Sequence, residues 1–139
     1  PCGIMDMYVS VAARSGHACL IERWLQMGDL ALMRTCYVEA VATDPVHQGQ
    51  GIGSALMVQT MIEAEKAGFE IGGLSPASVD FYRRLGWELW QGPLSFRKEG
   101  QIMPCPDDEE AMVYRLSRTP VLDRHLPLSI EWRSGPEVW

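Results

Sequence analysis

The sequence predicts a mixed α/β domain built on a mixed sheet. Two observations carry this. Three strand-like runs separated by tight reversals come first, at residues 7–13, 17–27 and 31–43, and then the third run leads through a glycine-rich loop into a helix and a further strand. The first arrangement makes an antiparallel meander, and the second is a βαβ crossover, which joins parallel strands. With 139 residues, 47% apolar and 22% charged, the chain is expected to form one domain, residues 1–139, with its own core.

Each element has a local reason. Residues 7–13 (MYVSVAA) alternate as a half-buried strand does, and Arg14, Ser15 and Gly16 supply the turn. Residues 17–27 return as a second strand, reversed by Gly28 and Asp29. Residues 31–43 end in YVEAVAT, a β-branched and apolar run, and Asp44-Pro45 closes it because proline has no N–H for a ladder. A helix is predicted from the glycine stretch to about Ala67, stopped by Gly68. Its buried face is expected to carry Ile52, Ala55, Leu56 and Ile62, with Glu63, Glu65 and Lys66 toward solvent. Residues 69–74 (FEIGGL) read as a short buried strand. Residues 78–85 form a second helix, capped by Ser78 and stopped by Gly86. Residues 87–94 and 112–116 are expected to be strands, with a polar, proline-containing loop between them. Residues 117–139 look irregular, but Trp132 and Trp139 predict that they pack back on the body.

Composition narrows the function. A formal charge of −6, from 18 acidic and 12 basic residues, argues against nucleic acid as a partner and suits a cationic one. No run is long and apolar enough for a bilayer and none reads as a signal peptide, so no membrane partner and a cytoplasmic location are expected. Cys2, Cys19, Cys36 and Cys105 lie far apart without paired metal-ligand spacing, and are expected to be reduced thiols. His17 and His125 have no partners at ligand spacing, so no metal is expected.

The stretch VHQGQGIGSAL, residues 46–56, places three glycines at the mouth of the first helix. A helix start offers free backbone N–H groups and the positive end of a dipole, and glycines let several N–H groups converge on one anion. A bare turn would use the same glycines. Two phosphate motifs are excluded: no Gly-Lys-Ser/Thr ending follows, and the spacing is not that of a dinucleotide fingerprint. The run Gln48-Gly49-Gln50-Gly51-Ile52-Gly53 fits Gln/Arg-x-x-Gly-x-Gly/Ala, and so resembles the acetyl-CoA pyrophosphate loop of the GNAT superfamily of N-acetyltransferases. YVEAVATDP before it and YRRLGW after it keep that superfamily's order.

Within the superfamily, YVEAVA, the GLS preceding FYRRLGW, CPDDEEAMVY and the ending EWRSGPEVW are similar to the aminoglycoside 2′-N-acetyltransferases, from about Met7 onward. The match implies a GNAT-like, mainly antiparallel sheet with one βαβ crossover. It departs from the family pattern in three ways: fewer than ten residues precede the first matched strand, so the family's N-terminal strand and helices are expected to be absent here, residues 75–82 are shorter, and Glu137 stands where the family has aspartate.

The resemblance also implies roles. Acetyl-CoA would lie along Val41, Ala42 and Thr43 and rest its pyrophosphate on Gln48, Gly49, Gln50, Gly51, Ile52 and Gly53. The backbone N–H of Val41 would serve the developing oxyanion. An ammonium must lose its proton before it attacks a thioester, and Glu39 is the candidate base, directly or through water. Strand alternation turns it away from the side taken by Val38 and Ala40; an acceptor anchor or a plain exposed glutamate fits the same position. Tyr82 holds the general-acid position, and a buried packing tyrosine is the competing account. Glu39, Ala40, Ser75, Asp108, Glu137 and Trp139, the last through its carboxylate, match acceptor contacts; gathered anions would steer a polycation.

The expected function is transfer of an acetyl group from acetyl-CoA to a primary amine of an aminoglycoside-like substrate, with the 2′-amine as the target. A GNAT enzyme for another small polyamine or a peptide amine, and a catalytically incomplete CoA-binding module, are the alternatives. A homodimer is compatible with the resemblance.

Overall fold

The computed structural model describes residues 7–11, 16–43, 51–133 and 138–139. Met7–Val11 (β1), Gly16–Met27 (β2) and Met33–Thr43 (β3) form the expected antiparallel meander. Ile52–Lys66 (α1) then crosses to Ile71–Leu74 (β4), which runs parallel to β3. Every residue of β4 is buried, as its apolar run predicts. Val79–Arg83 (α2) follows, and Ser78 caps it by accepting from the Phe81 N–H at 3.4 Å. The turn at Arg14 and Ser15 and the Asp44-Pro45 stop lie outside the described residues.

The second half holds more strand than the sequence suggests. In place of one strand over residues 87–94, Glu88–Leu89 (β5) is followed by a break in the ladder. There Gln91 and Gly92 donate to the Arg124 carbonyl instead, at 2.9 and 2.8 Å. Gly92 is needed at this crossing, because a Cβ would sit 2.1 Å from the Leu126 carbonyl oxygen. The expected polar loop contains a hairpin, Leu94–Lys98 (β6) and Gln101–Pro104 (β7). Its turn residues Glu99 and Gly100 both have positive φ, 52° and 77°, as a two-residue hairpin loop requires. Met112–Arg115 (β8) lies between β4 and β5. The tail expected to be irregular holds Leu128–Glu131 (β9), antiparallel to β2 and parallel to β6. The sheet among the described residues therefore reads β5-β8-β4-β3-β2-β9-β6-β7, with β1 sharing the outer edge of β2 with β9.

Each face of the sheet carries its own core. Leu20, Cys36, Val38, Leu74, Trp87 and Met112 meet Leu56, Met57, Met61 and Ala64 of α1 on one face. On the other, Leu25, Tyr37, Ile71, Val113 and Ile130 pack with Trp90 and Trp139. The buried face of α1 differs from the expected one. Leu56, Met57, Thr60, Met61 and Ala64 are inside, while Ala55 is exposed and Ile62 is 44% exposed. Thr60 tolerates burial because its hydroxyl donates to the Leu56 carbonyl at 2.7 Å, so its polarity does not mark the solvent side.

Cys36 is a free, buried thiol that burial pushes up to about 12, and Cys105 is also free. Cys19 is disulfide-bonded, with its partner outside the described residues, which corrects the expectation of four reduced thiols. No helix among the described residues is long and apolar enough to cross a membrane.

Candidate functional site

The site starts where two strands part. β3 pairs with β4 only through Thr35, Cys36 and Tyr37. From Val38 onward β3 has no partner on that side among the described residues, so its backbone groups are open to an extended ligand. Val41, Ala42 and Thr43 lie on this length and pair on their other edge with Ala18, His17 and Gly16.

At the same point the β2–β3 register slips. Leu20 faces Val38 and Cys19 faces Ala40, which leaves Glu39 as the extra residue of a β-bulge. A bulge breaks strict alternation and re-aims the side chain it carries. Even so, Val38 is buried in the first core while Glu39 and Tyr37 both meet Arg133 on the other side, and the bulge sits on the open length of β3.

The Glu39 carboxylate accepts from Arg133 Nη1 at 2.8 Å, with both side chains half-buried. Arg133 also stands over the Tyr37 ring at 5.9 Å, and Arg23 over the same ring at 5.1 Å. Arg23 is 2% exposed. It donates to the Glu131 carboxylate at 3.0 Å and to the carbonyls of Glu131 and Val138. Burial lowers its pKa and the Glu131 charge pulls it back up. The Tyr37 hydroxyl is buried without a hydrogen-bond partner among the described residues, and burial drives its pKa up against the pull of Arg23 and Arg133. The sequence gives no role to Arg23, Arg133 or Glu131; Glu131 and Arg133 enter only as letters of the ending EWRSGPEVW.

The cofactor end is described from Gly51 on; Gln48, Gly49 and Gln50 lie outside the described residues. Gly51 is the N-cap of α1 in the left-handed conformation, φ 75° and ψ 10°, with no side chain capping the helix and no acidic residue in the first turn. Among the described residues, a Cβ there would meet nothing within 4 Å. Ile52 and Gly53 follow as the first residues of the helix. An uncapped helix start beside open space fits an anionic group such as a diphosphate.

Tyr82, in α2, packs with the core beneath the helices. Its ring is edge-on to Phe81 at 5.0 Å and lies 6.1 Å from Trp87, and burial raises its pKa. Ser75 is exposed just past the end of β4. Asp108 is exposed in the turn at residues 107–108; within DDEE it is the half-buried Glu109 whose charge acts on Tyr37. The Trp139 side chain is buried, 3% exposed, in the second core. Glu137 lies outside the described residues. Trp87 and Trp90 are core residues, whereas Trp24 and Trp132 are exposed. No group of three His, Cys, Asp or Glu among the described residues could hold a metal ion.

The chain is 32% identical over 128 residues to an aminoglycoside 2′-N-acetyltransferase of Mycolicibacterium fortuitum, across 88% of this chain and 64% of that protein. It thus spans just under two thirds of that relative's length. Among solved structures it is similar to a GCN5-related N-acetyltransferase from Kribbella flavida, at 27% identity and TM-score 0.53, over 60% of this chain and 21% of that one. It also shares its fold with YhbS, a GNAT family N-acetyltransferase of Escherichia coli solved in complex with CoA, at 17% identity and TM-score 0.59, over 86% and 61% of the two chains. The family model of the acetyltransferase (GNAT) domain matches residues 15–90, more than half of the chain, and the protein therefore belongs to the GNAT acetyltransferases.

Proposed function

We propose that this chain transfers the acetyl group of acetyl-CoA to a primary amine of an aminoglycoside-like polyamine, at the 2′-position. The observation that carries this reading is Glu39, a bulged carboxylate on the length of β3 that β4 leaves unpaired, in the strand that precedes the uncapped helix start at Gly51. Acetyl-CoA supplies an activated acyl group as its thioester.

The chain's own residues do the rest. Backbone groups from Val41 to Thr43 hold the extended arm of the cofactor as an added strand would be held. The loop from Gln48 to Gly53 holds its diphosphate, and the left-handed Gly51 keeps that space clear. Val41 N–H steadies the negative oxygen that develops at the carbonyl. Glu39 takes or relays the proton of the acceptor ammonium, and Tyr82, kept protonated by burial, returns one to the departing thiolate. By resemblance to the aminoglycoside 2′-N-acetyltransferases, Ala40, Ser75, Asp108, Glu137 and Trp139 are the residues proposed to contact the acceptor. The similarity to the M. fortuitum enzyme and the net charge of −6 both favour a polycationic acceptor.

Purified protein with acetyl-CoA and a panel of amines, followed by release of free thiol, tests this. The expected result is turnover with 2′-amino aminoglycosides and none with their 2′-hydroxyl analogues. Turnover confined to other amines would overturn the choice of acceptor. Cofactor binding with no turnover on any amine would overturn the activity.

A further inference from the structure

We infer that Arg133 is a positioning residue for this reaction: it fixes one oxygen of the Glu39 carboxylate and leaves the other to the acceptor amine. This rests on the function proposed above and assigns how its base is held. A carboxylate on a bulge has a flexible side chain and no strand partner opposite, so its orientation must be fixed by something else. The Glu39 carboxylate accepts from Arg133 Nη1 at its Oε2, at 2.8 Å. That contact engages a single oxygen, unlike the two-pronged grip that a guanidinium can make.

The segment bearing Arg133 is itself fastened. Two residues before it, the Glu131 carboxylate accepts from Arg23 Nε and from the Trp24 N–H, both at 3.0 Å. The Trp132 N–H donates to the Arg97 carbonyl at 2.9 Å. Five residues after it, the Val138 carbonyl accepts from Arg23. The buried Tyr37 ring lies beneath both guanidinia, and it precedes Glu39 by two residues on β3. Arg133 is thus braced by the same ring and strand that present the carboxylate. An ordinary exposed ion pair has no such bracing and contributes little. Arginine suits the role because its flat fork can rest on an aromatic face while one nitrogen donates, which a lysine ammonium cannot reproduce.

The test uses the full chain, acetyl-CoA and whichever amine the panel shows to be the acceptor. For Arg133→Ala we expect kcat to fall about tenfold or more while KM for the cationic acceptor stays level or drops, since a positive charge has left the site. Affinity for CoA should not change. Millimolar guanidinium should restore part of the lost kcat in Arg133→Ala and nothing in Glu39→Gln. Arg133→Lys should keep the charge yet recover kcat only in part. In a Glu39→Gln background, Arg133→Ala should have no further effect. A kcat unchanged in Arg133→Ala overturns the inference. So does a loss that guanidinium leaves untouched and that tracks a fall in melting temperature, which would mean support of the fold alone. If Arg133→Ala does not fold, Arg133→Lys decides: full wild-type kcat in that variant sinks the proposal. A wild-type chain that acetylates no amine would instead refute the parent reading, and the inference would fall with it.

Discussion

The guanidinium of Arg23, in the middle of β2, donates to the backbone carbonyl of Val138, 115 residues later in the chain. The same side chain satisfies the carbonyl and the carboxylate of Glu131. One buried cation thereby closes the C-terminal segment onto the sheet and holds Trp139 in the second core. Arg23→Leu would leave two carbonyls short of a donor and Glu131 without its cation. Such a loss costs about 2–3 kcal/mol. Urea denaturation should show the midpoint falling accordingly, and amide exchange at residues 138–139 should quicken. An unchanged midpoint would mean that water replaces Arg23 without cost.

Gly51 separates backbone strain from ligand obstruction. Its φ of 75° is unfavourable for a side chain, while none of the described residues would meet a Cβ there. Gly51→Ala should therefore lose about 1 kcal/mol of stability from conformation alone. Gly51→Asn should lose less, because asparagine tolerates the left-handed region. Both should weaken CoA binding by roughly tenfold or more in a calorimetric titration, since a side chain enters the room meant for a diphosphate. Normal CoA affinity in the folded Gly51→Asn protein would contradict the cradle.

Glu88 gives a pH signature. Arg115 Nε donates to its carboxylate at 2.6 Å, and Arg124 Nε lies 3.3 Å away. The hydrogen bond from Arg115 holds its pKa below the ordinary 4.5. A carboxyl group lowered in the folded state adds stability that is complete above the unfolded pKa and disappears as pH falls through the folded one. Because the pair is partly exposed, the contribution at neutral pH is about 0.5 kcal/mol. Glu88→Gln should be less stable than wild type by that amount at pH 7, and thermal melts of the two should converge as the medium becomes more acidic than the ordinary carboxyl range. A gap that is constant with pH would exclude the charge as its source.

Much of the fold is legible in the residues themselves. The β1–β3 meander, the crossover through α1 to β4, and α2 with its Ser78 cap all follow from runs whose local pattern agrees with their surroundings. What escapes is held by distant partners. Leu128–Glu131 is only four residues, the first three buried because β2 and β6 flank them. The hairpin turn Glu99-Gly100 lacks the Asn-Gly or Asp-Gly pair that announces such turns. The site divides the same way. Glu39 stands out as an acid in an apolar strand, and the glycines mark the helix start. The bulge does not show in YVEAVA, because the slip is visible only against Cys19 and Leu20. Arg133 meets Glu39 across 94 residues, a contact no local pattern encodes.

Tyr82 presents two roles that one substitution can separate. Its ring packs edge-on to Phe81 and near Trp87, a contribution that phenylalanine would keep. Its hydroxyl is what the reaction would use. Burial raises its pKa, so the phenol stays protonated through the neutral and moderately alkaline range and can give a proton to a departing thiolate. Tyr82→Phe should therefore melt within a degree or two of wild type yet lose roughly 10²-fold in kcat. In wild type the activity should fall on the alkaline side only above the ordinary tyrosine pKa of about 10, because the shift is upward. A slower substrate with a better leaving group narrows the account further. A thioester whose thiol departs unaided should be transferred by Tyr82→Phe almost as fast as by wild type. If the variant keeps full kcat with acetyl-CoA itself, Tyr82 is a packing residue and the thiolate takes its proton from solvent.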